Sequence, residues 1–261
     1  FVCGPARSGT TVVTQALGRA LAVGYFTNLT SVFPRSPITA SRAFRVKPRS
    51  DAVNDRSHYG RTVGFRGPND ALYLWDRWLG RDRTLVSEAL DPDTADEMVR
   101  FFGAYESWVG RPIVTKNNSL NAHAAMVGAH LPTARFICMD RDPVFLAQSL
   151  LVAREHIHGD SSVPYGLVDS APTGDPVADV CRQVRFHQEV ARRQLSQLGA
   201  GRFHMLSYED FCADPTATVR MVAGWLGVSV DASSLPASFQ ASRSRRVAPE
   251  VFARLEDELG A

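Results

Sequence analysis

At 261 residues, 44% hydrophobic and 21% charged, the chain has the composition of one globular α/β domain with a sizeable core. A formal net charge of +2 excludes a general nucleic-acid binder, which would carry a strong basic excess. Four cysteines with no C-x-x-C pair and no histidine at zinc spacing exclude a zinc ribbon, and no apolar run reaches the ~18 residues of a membrane span.

These readings point to a cytoplasmic protein with reduced thiols and no metal requirement. Lys47 and Lys116 are the only lysines, and this arginine bias fits a GC-rich bacterial genome.

The first element is the short apolar strand Phe1-Val2-Cys3, followed by "GPARSGTT", residues 4 to 11. Gly4 and Gly9 stand five apart with Thr11 two further on. That is the spacing of the phosphate loop G-x-x-x-x-G-K-[ST], with Thr10 in the lysine's place. From Thr10 to Ala22 the apolar residues Val12, Val13, Ala16, Leu17, Ala20 and Leu21 mark an amphipathic helix. The loop therefore joins a strand to a helix N-terminus, whose free N–H groups bind phosphate oxygens. Ser8, Gly9, Thr10 and Thr11 supply donors and a tight path, and Arg7 supplies charge. The lysine that grips β- and γ-phosphates is missing, which argues against a nucleoside triphosphate.

Residues 25 to 110 follow as an irregular stretch, the expected acceptor-binding or lid region. Its Tyr73, Trp75 and Trp78 are suited to stacking on a sugar or aromatic ring. Pro112–Lys116 reads as a buried strand ending on a lysine. Arg135–Asp140 reads as another, leading to Arg141. Asp142-Pro143 then starts a helix through Leu146, Leu150 and Leu151. A weakly patterned stretch, 159–175, precedes a long amphipathic helix near Val177–Leu198. The strand Phe203–Tyr208 is followed by a helix from Asp214-Pro215 that ends at Gly227.

Alternating strands and helices predict a three-layer α/β domain over residues 1–261. Its mostly parallel central sheet carries helices on both faces, as in phosphate-loop NTPases. Ligands bind such sheets outside the carboxyl ends of the strands. There the chain offers the loop, Lys116, Arg141 and Tyr208, an anion site.

Four segments resemble the sulfotransferases that use 3′-phosphoadenosine 5′-phosphosulfate (PAPS). "GPARSGTT" is similar to that family's 5′-phosphosulfate loop, and "RDPVFLAQSL" (141–150) to its 3′-phosphate motif. "SYEDFCADPTATVRMVAGWLGV" (207–228) resembles its Tyr-Glu-Asp region, and "RSRRV" (243–247) its basic C-terminal segment. The resemblance implies a PAPS donor leaving as 3′-phosphoadenosine 5′-phosphate (PAP). It implies Ser8, Gly9, Thr10 and Thr11 on the phosphosulfate, with Arg7 at the bridging oxygen and Lys116 near the transferring group. Arg141 and Ser149 would hold the 3′-phosphate, approached by Arg243 and Arg245, and Tyr208 would lie against the adenine.

The expected reaction is in-line transfer to a hydroxyl or amine of a small-molecule, natural-product or carbohydrate acceptor. That substrate class rests on the apparently bacterial character and the Tyr73, Trp75 and Trp78 cluster, and a homodimer is the expected assembly. The base is less defined. Some branches place a histidine two after the lysine, where this chain has Asn118. Others place a glutamate soon after the first helix, and none occurs between Thr10 and Ser87. His58, His123 and Glu88 are the candidates, His58 preferred for its place in the irregular polar stretch. Two other readings stay open: a kinase with a degenerate loop and Asp140 as its metal carboxylate, and a PAP-binding pseudoenzyme.

Overall fold

Aspartate–proline pairs set four of the helix starts. Asp91, Asp142, Asp175 and Asp214 each accept a hydrogen bond from a first-turn N–H, and the following proline occupies the first helical position, where no N–H is needed. The computed structural model describes residues 1–53, 57–58, 61–84 and 86–260, with 57, 58 and 61 described by backbone alone. In chain order the first elements are β1 (Val2–Cys3), α1 (Thr10–Ala20), α2 (Asn28–Val32), α3 (Pro37–Ala43) and a hairpin of β2 (Ser57–His58) and β3 (Arg61–Thr62). Then come α4 (Leu72–Leu79), α5 (Pro92–Val109), α6 (Leu120–His130), β4 (Phe136–Asp140), α7 (Pro143–His158) and α8 (Pro176–Leu198). The chain finishes with β5 (Phe203–Ser207), α9 (Tyr208–Ala213), α10 (Pro215–Leu226) and α11 (Pro249–Leu259).

The central sheet is parallel, in the order β1-β4-β5. Period-two alternation divides its side chains between two faces. Val2, Ile137, Met139 and Leu206 pack with Val13 and Leu17 of α1 and Val219 and Val222 of α10. Cys3, Phe136, Cys138 and Phe203 pack on the other side with Leu120, Ala124 and Val127 of α6 and the aromatic residues of α4 and α5. This is the expected three-layer arrangement. A third cluster joins α7, α8 and α11 through Leu150, Val184 and Phe252.

The segment 112–116 differs from the expected strand. It runs parallel to β1, with Val2 N–H donating to Thr115 O (2.8 Å) and Asn117 N–H to Val2 O (3.1 Å), but it pairs through isolated bridges. β1 presents only two residues, and the Pro112 carbonyl accepts from Gly24 N–H on the far side. Lys116 still stands beside the carboxyl end of β1.

The 25–110 region holds four helices and a hairpin rather than irregular chain. Trp75 and Trp78 are also corrected: they are core residues, not a stacking platform. Three apart on α4, they share one face, lie 5.4 Å apart edge to face, and pack on Phe101 and Phe102 of α5. Each is at most 4% exposed, and burying an indole stabilises by roughly 2–3 kcal/mol. Tyr73 alone of the three faces outward. Among the described residues no helix is long and apolar enough to cross a membrane, and all four cysteines are buried and free.

Candidate active site

The loop after β1 takes a path that few side chains allow. Gly4 and Gly9 have φ of 133° and 100°, and Arg7 is also left-handed at 72°. A Cβ on Gly4 would lie 2.7 Å from Met139 O, and one on Gly9 2.5 Å from the Tyr208 ring. Ser8 turns inward: its buried hydroxyl donates to Pro5 O (2.8 Å), so its side chain closes the loop rather than facing solvent. Thr10 begins α1 and donates from its hydroxyl to Asn118 Oδ1 at 3.2 Å.

Arg7, Gly9 and Thr10 border a cleft of about 470 Å³ at the carboxyl end of the sheet, whose polar lining forms two groups of contacts. One group comprises Thr10, Thr11, Asn118 and Lys116, whose buried ammonium lies 3.5 Å from Asp70 Oδ2. Asp70 comes from the turn before α4 and is the only carboxylate among the described residues lining the cleft.

The other group is cationic. Ser149, buried on α7, accepts from Arg7 Nε (3.3 Å) and Arg246 Nη2 (3.4 Å). Arg141 donates to the Arg7 carbonyl (2.8 Å) and to Ser242 O (2.7 Å), while its buried Nε has no partner. Burial is the main cause holding the Arg141 pKa below its ordinary value; Tyr208 and Glu209 oppose the shift, and the neighbouring Arg7 and Arg246 cations add to it. The Arg141 guanidinium lies 4.8 Å over the Tyr208 ring, which in turn covers Gly9. Burial raises the Tyr208 phenol pKa, and its oxygen accepts from Ser242 N–H (3.4 Å). Three guanidinium groups on one cleft form a site for a multiply charged anion.

The structure thus brings Arg7, Gly9, Thr10, Thr11, Lys116, Arg141, Ser149 and Tyr208 to one cleft. It does not bring Arg243 or Arg245 there. Gln148 donates to Ser244 O (3.0 Å) and accepts from Arg246 N–H (2.6 Å), which pins the C-terminal segment across α7 and delivers Arg246. Arg245 instead covers Phe252 and faces Glu256. Arg7 Nε donates to Ser149 on α7, and Lys116 lines the same cleft as Thr10.

Two of the expected bases lie elsewhere. His123 is buried in α6, its Nδ1–H donating to Ser119 O and its Nε2 accepting from Ser87 N–H, and burial lowers its pKa. Glu88 borders a separate surface hollow. The backbone of His58 lies in β2, and its side chain is outside the described residues. Asp70, Asn118 and Arg246 were not singled out as site residues by sequence. Asp70 has no local motif, and only its pairing with Lys116 reveals it.

A family model described as the sulfotransferase family matches residues 1–232. The chain belongs to the sulfotransferase family. Solved structures of similar fold include sulfotransferase STF9 from Mycobacterium avium, at TM-score 0.56 and 19% identity, covering 99% of this chain and 67% of that one. Sulfotransferase STF1 from Mycobacterium tuberculosis matches at TM-score 0.54 and 14% identity over 98% and 76% of the two chains. The sulfotransferase domain from the curacin biosynthetic pathway matches at 0.51 and 14% over 97% and 81%. Comparison with curated proteins gives no match by sequence. In this sulfotransferase, then, the phosphate-loop spacing with threonine for lysine belongs to a sulfuryl-transfer fold.

Proposed function

We propose that this sulfotransferase moves a sulfuryl group in line from PAPS to a hydroxyl or amine of a small-molecule, natural-product or carbohydrate acceptor. The observation that carries this reading is the lining of the cleft. A glycine loop at a helix N-terminus lies on one cavity with Lys116 and with three arginines, Arg7 of the loop itself, Arg141 and Arg246, two of which bond Ser149. A donor bearing phosphates at both ends of its ribose fits both groups of contacts; a single polyphosphate chain uses only one. The unpartnered Arg141 Nε is a further donor waiting for an anion.

PAPS supplies the activated sulfuryl group; the chain supplies position and charge. Arg141, Arg246, Arg7 and Ser149 would hold the 3′-phosphate, and the loop N–H groups with Thr10 and Thr11 the 5′ end. Lys116 would stabilise the negative charge that grows as the bond from sulfur to the 5′-phosphate oxygen breaks. Asp70, next to it and 37% exposed, can reach an incoming acceptor. As the acceptor's bond to sulfur forms, its proton would pass to the Asp70 carboxylate. The kinase reading has no support at Asp140, whose Oδ1 accepts from Arg141 N–H and which does not line the cleft.

Calorimetry with PAP and with ATP–Mg²⁺ tests the donor: PAP is expected to bind far more tightly, and a preference for ATP–Mg²⁺ overturns the proposal. Tight PAP binding with no transfer of labelled sulfate to any of a broad acceptor panel would instead support a pseudoenzyme.

A further inference from the structure

Seven of the ten large hydrophobic side chains that stand exposed among the described residues lie between Val32 and Tyr73. Three are phenylalanines brought to one face. Phe33 and Phe44 stack with ring centroids 5.9 Å apart. The Phe65 carbonyl accepts from Leu29 N–H (3.2 Å), and the next residue, Arg66, donates from Nη2 to Arg45 O (3.1 Å), one residue after Phe44. Phe44 and Phe65 are 61% and 69% exposed, so water meets most of both rings.

Arg45 and Arg66, the chain neighbours of Phe44 and Phe65, border a hollow of about 420 Å³ together with Arg42, Lys47, Arg49 and Trp108, with no carboxylate in its lining. Asp51, paired with Arg49, is the one acid in contact with this group among the described residues. At the hollow lies Ser41, fully buried, its hydroxyl without a hydrogen-bond partner. A buried hydroxyl left unpaired costs roughly 1–3 kcal/mol, which an anion's oxygen would offset by accepting from it.

We infer that this face is a docking surface for an anionic lipid bilayer, with phosphate headgroups in the arginine hollow and Phe33, Phe44 and Phe65 in the headgroup–acyl boundary. Exposed aromatic side chains beside a cluster of like charges are the chemistry of interfacial membrane binding. Neither half of the surface is explained alone: a soluble anion has no use for three exposed phenylalanines, and a neutral apolar partner has none for five cations. A second copy of this chain fits poorly as well. A two-fold contact would set the cationic hollow beside its own copy, like charge against like charge.

The proposal does not rest on the donor reading, and its test uses no donor. Sedimentation of the full chain with phosphatidylglycerol-containing vesicles, against pure phosphatidylcholine, is expected to show binding to the anionic vesicles alone, weakened by salt. Arg42→Glu with Arg66→Glu, and separately Phe44→Ser with Phe65→Ser, should each lower the vesicle affinity by about tenfold or more. Unchanged melting by circular dichroism shows that the variants fold. Equal binding to both vesicle types overturns the inference, as does binding indifferent to both double variants. Tight binding of soluble glycerol phosphate without vesicle binding also overturns it, in favour of a free-anion site, and charge-independent self-association does so in favour of a second copy.

Discussion

The Lys116 ammonium stands 3.5 Å from the Asp70 carboxylate, an ion pair that joins the segment beside β1 to the turn before α4 inside the donor cleft. It ties the phosphate-binding half of the fold to the 25–110 region. Lys116 is buried while Asp70 is partly open, so the pair presents its carboxylate toward the cleft.

Asp70→Asn is the direct test of that arrangement. Asparagine keeps the shape and a hydrogen bond to Lys116 but removes the proton acceptor. Turnover is expected to fall by roughly 10²–10³-fold, while PAP affinity by calorimetry stays within about threefold. A loss confined to donor affinity would make Asp70 a positioning residue for Lys116 instead.

Arg141→Ala should weaken PAP by about 2 kcal/mol or more, roughly 30-fold, since it removes a buried charged donor. Adenosine 5′-phosphosulfate, which lacks the 3′-phosphate, should lose much less. Arg246→Ala should follow the same pattern more mildly, whereas Arg243→Ala and Arg245→Ala should leave both ligands unaffected. Equal losses for the two ligands would remove the 3′-phosphate from this group of residues.

The contrast among those arginines shows what was legible in sequence. The loop could be read because it is a contiguous stretch, a strand end running into a helix, with glycines at a telling spacing; Arg141 and Ser149 were legible together only through the resemblance of "RDPVFLAQSL" to a family motif. The choice of Arg246 over its neighbours depends on Gln148, almost a hundred residues away, and Asp70 on Lys116; neither has a local signature. Asp91-Pro92 carried the same signal as Asp142-Pro143 and had Ala95, Met98, Phe102 and Tyr105 on one stripe, so α5 was readable inside the stretch taken as irregular. The aromatic character of Trp75 and Trp78 suits a stacking platform, but their three-residue spacing makes them one buried face of α4.

Gly9→Ala probes the contact between loop and Tyr208. The new methyl would meet the ring at 2.5 Å on a backbone of φ 100°, where an L-residue is strained in any case. A destabilisation of about 2–3 kcal/mol by urea unfolding is expected, with loss of PAP binding. Removing the ring with Tyr208→Ala should recover the steric part and leave the backbone part, a coupling of about 1 kcal/mol or more in the double-mutant cycle. Strict additivity would mean that the ring is free to move aside.

Stability at acid pH should be governed in large part by His187. Fully buried on α8, it accepts at Nδ1 from Asn121 Nδ2 (2.9 Å) and donates from Nε2–H to Leu167 O (3.1 Å), a neutral tautomer tying α6 to the 159–175 stretch. Burial, the leading cause, lowers its pKa to about 4. The unfolded chain takes up this proton below about pH 6.5 while the folded chain does not, so stability is full above pH 6.5 and falls as pH drops toward 4. The expected loss from this residue is about 2 kcal/mol by pH 5 and about 3 kcal/mol by pH 4. His123, whose pKa burial also lowers, acts in the same direction. His187→Gln should cost stability at pH 7.5 but flatten the decline in urea midpoints between pH 7 and pH 5. An undiminished slope in that variant would assign the acid sensitivity to other groups and leave His187 a packing residue only.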